Sequence, residues 1–307
     1  MYRIIVVCLI ILMPYVAAFG AEIRLLPGEV LPEIYDIKIQ AKVSYESESS
    51  IYTYIYTITN PTINTGAIDD IDIDIKKPAG SVALIREGLR YGYGYLRYSS
   101  EDIFARSPVP LIPVGLSAPN NWIAGISVRS TAGWGAAEET SLIYPGSSMS
   151  GFEMNSRGLP GIRQVTLFPD FKQTPVPEAT KEDVERIKAI RKKITFTTKT
   201  IGPTAPPADF KPIAFLDYII SLKHEAFNLG WIKNAGIEQS LDAKLDNAKK
   251  KLEQGNITAA KNIFEAFMNE IEAQGCVTYE DCSSGKHISP EAYALLKYNV
   301  QYLIGKL

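Results

Sequence analysis

Chemistry in this chain would have to start from two histidines, His224 and His287, three cysteines and a scatter of carboxylates. A general base must lie within reach of a nucleophile, a metal or a reacting proton. Neither histidine lies near a serine or cysteine motif of hydrolase type. Glu138 and Glu139 could serve a glycosidase, whose two carboxylates flank the scissile bond, but neighbours on a strand point to opposite faces. The expectation is a protein that is not an enzyme. A hydrolase of extracellular polysaccharide using such loop carboxylates is the rival reading.

Three further patterns offer binding chemistry. Asp70, Asp72 and Asp74 copy the opening spacing of an EF-hand calcium loop, but Ile75 stands where the loop needs glycine and Ser81 where it needs glutamate. The intervening isoleucines fit a strand whose acidic face discourages edge pairing. Calcium held with help from a neighbouring loop is the alternative, and no other cofactor is expected. Tyr91, Tyr93, Tyr95 and Arg97 would share one face of a strand whose glycines leave the other bare. With Trp122 and Trp134 they could form a platform for sugar rings, and core packing is the competing role for such rings. Cys276 and Cys282 close a short loop that a disulfide would stabilise by roughly 2 kcal/mol in an oxidising compartment. A metal reading there needs two more ligands, and His287 is the nearby one.

The positioning elements follow from composition and pattern. A formal charge of −2 over 307 residues gives no general field for nucleic acid or an acidic membrane, and 46% apolar with 21% charged residues is ordinary for a folded domain. Arg3, the apolar run Ile4 to Met13 and the small residues before Ala21 read as a signal peptide over residues 1–21, which would remove Cys8 and leave no membrane span. The chain is therefore expected to be exported, to the periplasm, the cell surface or the medium.

Residues 22–202 carry short alternating runs rich in Ile, Val, Thr and Tyr, broken by Gly, Pro and Asn, which predict an antiparallel β-sandwich of the immunoglobulin-like class. Ile51 to Thr59 puts Tyr52, Tyr54, Tyr56 and Ile58 on one face, and this run is expected to neighbour Ile71, Ile73 and Ile75 in one sheet. The run from Ser150 to Phe168 resembles the closing hairpin of sandwich domains in other exported bacterial proteins. A charged helix is predicted at about 180–193, capped by Thr180 with Asp183 three residues on. Prolines at 203, 206 and 207 mark a linker over 203–209. An α+β chain results, because residues 210–307 read as three to four helices.

In that helical part Leu241, Leu245, Ala248 and Leu252 share one face, as do Ala260, Ile263, Phe264, Phe267 and Ile271, and Gly255-Asn256 makes the turn between them. Ser289-Pro290-Glu291 opens a last helix with buried positions at Ala292, Leu295, Leu296, Asn299 and Leu303. These residues, with Ala259, Ala266 and His287-Ile288-Ser289, resemble the FIMAH domain, a helical module near the C-termini of secreted bacterial proteins that include multidomain hydrolases. The resemblance implies an accessory role and carries over no catalytic residue. Gly275 to Gly285 is an insertion relative to its pattern. The whole reads as a secreted, non-catalytic binding or attachment protein whose partner is an extracellular polysaccharide or a cell-surface protein. A structural component of a surface assembly is the further alternative.

Overall fold

Strand alternation and helix periodicity are both realised in the computed structural model, which describes residues 23–75, 114–126, 131–174, 178, 180–282 and 285–307. Residues 1–21, expected to be a signal peptide, fall outside these, as do Tyr91, Tyr93, Tyr95 and Arg97.

Nine strands make two antiparallel sheets among the described residues. The four-stranded sheet has the order β1 (Lys38–Glu46), β2 (Ile51–Thr59), β7 (Ser148–Ser156), β4 (Val114–Ser117). In the five-stranded sheet the order is β5 (Trp122–Ile126), β6 (Thr131–Ala136), β3 (Ile68–Asp74), β8 (Leu159–Pro169), β9 (Phe196–Thr204). The alternation in β2 turns Tyr52, Tyr54, Tyr56 and Ile58 inward, and the core they join includes Ile71, Ile73, Phe152, Val165 and Leu167. Buried tyrosines need a partner for the hydroxyl. Tyr54 donates to the Gly158 carbonyl and Tyr56 to that of Ile201, each at 2.9 Å.

Three expectations are corrected here. Strands β2 and β3 lie in different sheets, because the intervening turn carries the chain across the sandwich. Buried Asn60 holds that turn by donating to the carbonyls of Gly66 (2.9 Å) and Ile143 (2.8 Å) and accepting from Asn64 (2.7 Å). Likewise β7 and β8 form no hairpin, since β7 pairs with β2 and β4 whereas β8 pairs with β3 and β9. The acidic strand β3 is not an edge at all and runs between β6 and β8. At the true edge β9 continues through Gly202, Pro203 and Thr204, and the missing amide of Pro203 is tolerated there.

Helix α1 (Lys181–Ile194) has the expected Thr180 cap with its reciprocal Asp183 contact, and buries Ile190 and Ile194. Arg186 in this helix meets Glu29 at 2.5 Å. Burial opposes the Glu29 charge, yet the amides of Leu26 and Thr174 and the Arg186 guanidinium hold the carboxyl below its ordinary range.

Four helices complete the chain: α2 (Pro212–Asn228), α3 (Ala235–Glu253), α4 (Ile257–Gln274) and α5 (Pro290–Lys306). The buried stripes are those read from periodicity, Leu241, Leu245, Ala248 and Leu252 on α3 and Ala260, Phe264, Phe267 and Ile271 on α4. Gly255 turns the chain at φ 71°, and Asn256 accepts the Ala259 amide at 3.1 Å to cap α4. Helix α5 is different, because Tyr293, Ala294 and Val300 are buried beside Ala292, Leu295, Leu296 and Leu303. A helix buried on more than one face has more than one neighbour, and the second neighbour of α5 is the sandwich.

Candidate functional site

The contact of α5 with the sandwich builds the site. Glu291, at the second position of the helix and 1% exposed, accepts the Ala41 amide of β1 at 2.8 Å. It also accepts the hydroxyls of Tyr279 and Ser289, each at 2.7 Å. Strand β1 ends the four-stranded sheet, so the helix covers backbone that an edge would otherwise expose. Two turns on, Asn299 donates to the Pro160 carbonyl of β8 at 2.8 Å and to the Leu295 carbonyl at 2.7 Å. Tyr298 packs edge-on against Tyr52 with ring centroids 5.3 Å apart. Tyr279 belongs to the inserted loop, which the Cys276–Cys282 disulfide closes. Burial and the Glu291 charge keep its hydroxyl protonated far above the usual tyrosine range.

Beside this contact, where the chain leaves β9 and enters α2, lies a cleft of about 260 Å³. Leu159, Ala205, Pro206, Pro207, Ala214 and Phe215 give it an apolar lining, with Tyr218 and Asn299 as polar members. The proline run supplies rigid walls and few amides, so little backbone polarity faces the space. Burial raises the Tyr218 hydroxyl above its usual range, against the nearby Arg163 charge and a hydrogen bond with Thr204. Asp209 and Lys211 also line the space and form an exposed ion pair at 3.2 Å. Lys211 and Ala214 are shared with a second, more open recess lined by Pro212, Ile213, Leu252, Ile257 and Leu307. The two make an elongated apolar surface beside the N-terminal turn of α2. It is suited to receive a ring or aliphatic group.

The residues nominated from sequence are not gathered there. Trp134 is 0% exposed and donates to the Ser117 carbonyl at 2.8 Å, and Trp122 donates to that of Ser141 at 2.8 Å. Both indoles pack on Phe152, with centroids 6.1 and 4.9 Å away, so they are core rather than a sugar platform. Glu138 caps a short 3₁₀ turn, and Glu139 pairs with Lys172 at 3.2 Å on the surface.

Asp70 and Asp72 face a floor of small residues, opposite Gly135 and Gly133 of β6. Side chains two apart on an extended strand stand about 6–7 Å apart, unlike those of a curled calcium loop. Burial first, then the charges of Asp72 and Asp69, push the Asp70 carboxyl up to about 7. Asp69 is pushed up to about 6 by burial and Asp170.

A charged cluster joins α2 to α3. Lys223, 0% exposed, contacts Glu238 and lies 2.6 Å from Asp242, and the His224 imidazole approaches the same carboxylates. A lone helix histidine and two acids four residues apart were present in the sequence, but nothing there aligned the two helices.

Residues 225–305 match the family model of the FIMAH domain, which covers α3 to α5 with the disulfide loop and the end of α2. That domain is linked to secreted bacterial proteins. No curated protein matches the chain. Among the described residues no helix is long and apolar enough to cross a membrane.

Proposed function

We propose that this is an exported, non-catalytic attachment protein that takes an apolar side chain of a cell-surface protein into the cleft between sandwich and helices. The cleft itself carries the reading. At about 260 Å³ it falls just below the roughly 300–1,000 Å³ of small-molecule pockets and suits one large side chain. Anchors of this kind, buried in a pocket and ringed by polar groups, dominate protein interfaces, and Asp209 with Lys211 supplies such a rim. The adjoining recess extends the apolar surface beyond a single ring. A sugar would bring several hydroxyls against the walls of Leu159, Ala205, Pro206, Pro207, Ala214 and Phe215, which offer them no polar side chain. Calcium has no part in this reading.

A photocrosslinking residue placed at position 214 and applied to intact cells tests the proposal. An adduct with a surface protein is the expected product. Adducts with polysaccharide alone, or none at all, would overturn it.

A further inference from the structure

Asn299 is 0% exposed and lines the cleft between sandwich and helices. Both hydrogens of its side-chain amide are committed, to the Pro160 carbonyl of β8 at 2.8 Å and to the Leu295 carbonyl one turn back at 2.7 Å. Turning the amide over would set Oδ1 against those two carbonyl oxygens, so the contacts fix which way it points. Among the described residues Oδ1 itself accepts no hydrogen bond.

A buried acceptor left without a donor is costly, and native structures seldom keep one without a role for it. The other polar side chains of the lining have partners: the Tyr218 hydroxyl bonds with Thr204, and Asp209 pairs with Lys211 at 3.2 Å on the rim. The remaining walls, Leu159, Pro206 and Phe215 among them, are apolar. The cleft therefore asks its occupant for an apolar body and one donor.

Depth decides where on the occupant that donor must sit. Asp209, Lys211 and Ala214 are exposed, whereas Leu159, Phe215 and Asn299 are buried. A side chain entering past the rim meets Asn299 with its far end. Tyrosine carries its hydroxyl there, on the axis of the ring, while tryptophan carries its N–H on the flank and phenylalanine has no donor. Lysine and arginine would bring charge and several donors to a floor that accepts one. Buried rings of this protein are completed in the same way, since Tyr54 and Tyr56 each end on a carbonyl oxygen at 2.9 Å.

We infer that the side chain received by the cleft is a tyrosine of the partner protein, its ring against Leu159, Phe215 and the proline wall and its hydroxyl donating to Asn299 Oδ1. This rests on the reading of the cleft as an attachment site, and narrows its occupant from any apolar anchor to a phenol.

Titration of the isotope-labelled full chain with p-cresol, toluene and p-methylanisole, followed by NMR through the backbone amides of Ala205 and Ala214, tests the inference. All three probes carry one methylated ring, and p-cresol alone donates a hydrogen bond. It is expected to bind roughly 3–10-fold tighter than the other two, the net effect of one hydrogen bond. Asn299→Leu should level that preference while toluene still binds, and if this variant does not fold the probe series on the unaltered protein decides alone. Ala214→Trp should remove binding of all three. Equal affinities for p-cresol and toluene, or a preference that survives Asn299→Leu, would overturn the tyrosine assignment and leave an apolar anchor site standing. No shift at Ala205 or Ala214 with any probe would overturn both.

Discussion

Glu291 on helix α5 accepts the main-chain amide of Ala41 on strand β1 at 2.8 Å, across 250 residues of sequence. The same carboxylate accepts the hydroxyls of Tyr279 from the disulfide loop and Ser289 from the helix cap. One buried anion thus joins the sandwich, the insertion and the helical module. The cleft beside them keeps its shape because both of its sides are held.

Glu291→Ala leaves those donors without their acceptor in a buried place. The expected loss is about 2–4 kcal/mol, measured by urea denaturation. Tyr279→Phe removes one donor and leaves the anion its other partners, so it should cost about 1 kcal/mol.

The Cys276–Cys282 disulfide holds the loop that presents Tyr279. Cys282→Ser should lower stability by about 2 kcal/mol through the freed loop. Combined with Tyr279→Phe, the losses should fall short of their sum, since both act on one contact. Strict additivity would show that the loop does not hold Tyr279 in place.

Asp69 and Asp70 titrate higher in the folded protein, to about 6 and about 7, than their ordinary value of 3.8. Folding therefore favours their protonated forms. The stability they contribute is fully present below about pH 4 and is lost as pH rises through 6 to 7, on the order of 1–3 kcal/mol. Denaturation midpoints should fall over that range, and Asp70→Asn should flatten the slope.

Removing Lys223 leaves two carboxylates without their buried counterion. Lys223→Ala is expected to cost about 3–5 kcal/mol, and pairing it with Glu238→Gln and Asp242→Asn should recover part of the loss. A thermal melt of each variant checks the order.

The sequence was most legible where one neighbour decides the pattern. Leu241, Leu245, Ala248 and Leu252 on α3, and Tyr52, Tyr54 and Tyr56 on β2, show their period because each faces one core. Which sheet receives β3 was not legible, since Ile71 and Ile73 alternate identically in either sheet and the crossing depends on hydrogen bonds of Asn60. Helix α5 disguised its second contact for a related reason. Ala294 and Val300 fall outside a single stripe and gain meaning only once the sandwich lies against them. In sequence Glu291 reads as an acid at a helix N-terminus, and its partner Ala41 has no side-chain signature. The cleft is made by residues from β8, the proline run, α2 and α5, whose distances in sequence conceal their convergence.

The most direct measurement is binding of the fluorescently labelled full chain to intact and protease-shaved cells, with Ala214→Trp as the comparison. Ala214 is exposed and lines both recesses, so the larger indole blocks them without disturbing the core. Saturable binding that disappears on shaving and falls at least about tenfold with Ala214→Trp, the loss of one anchor side chain, is the predicted result. Binding that ignores the substitution, or that survives shaving, would contradict attachment through this cleft.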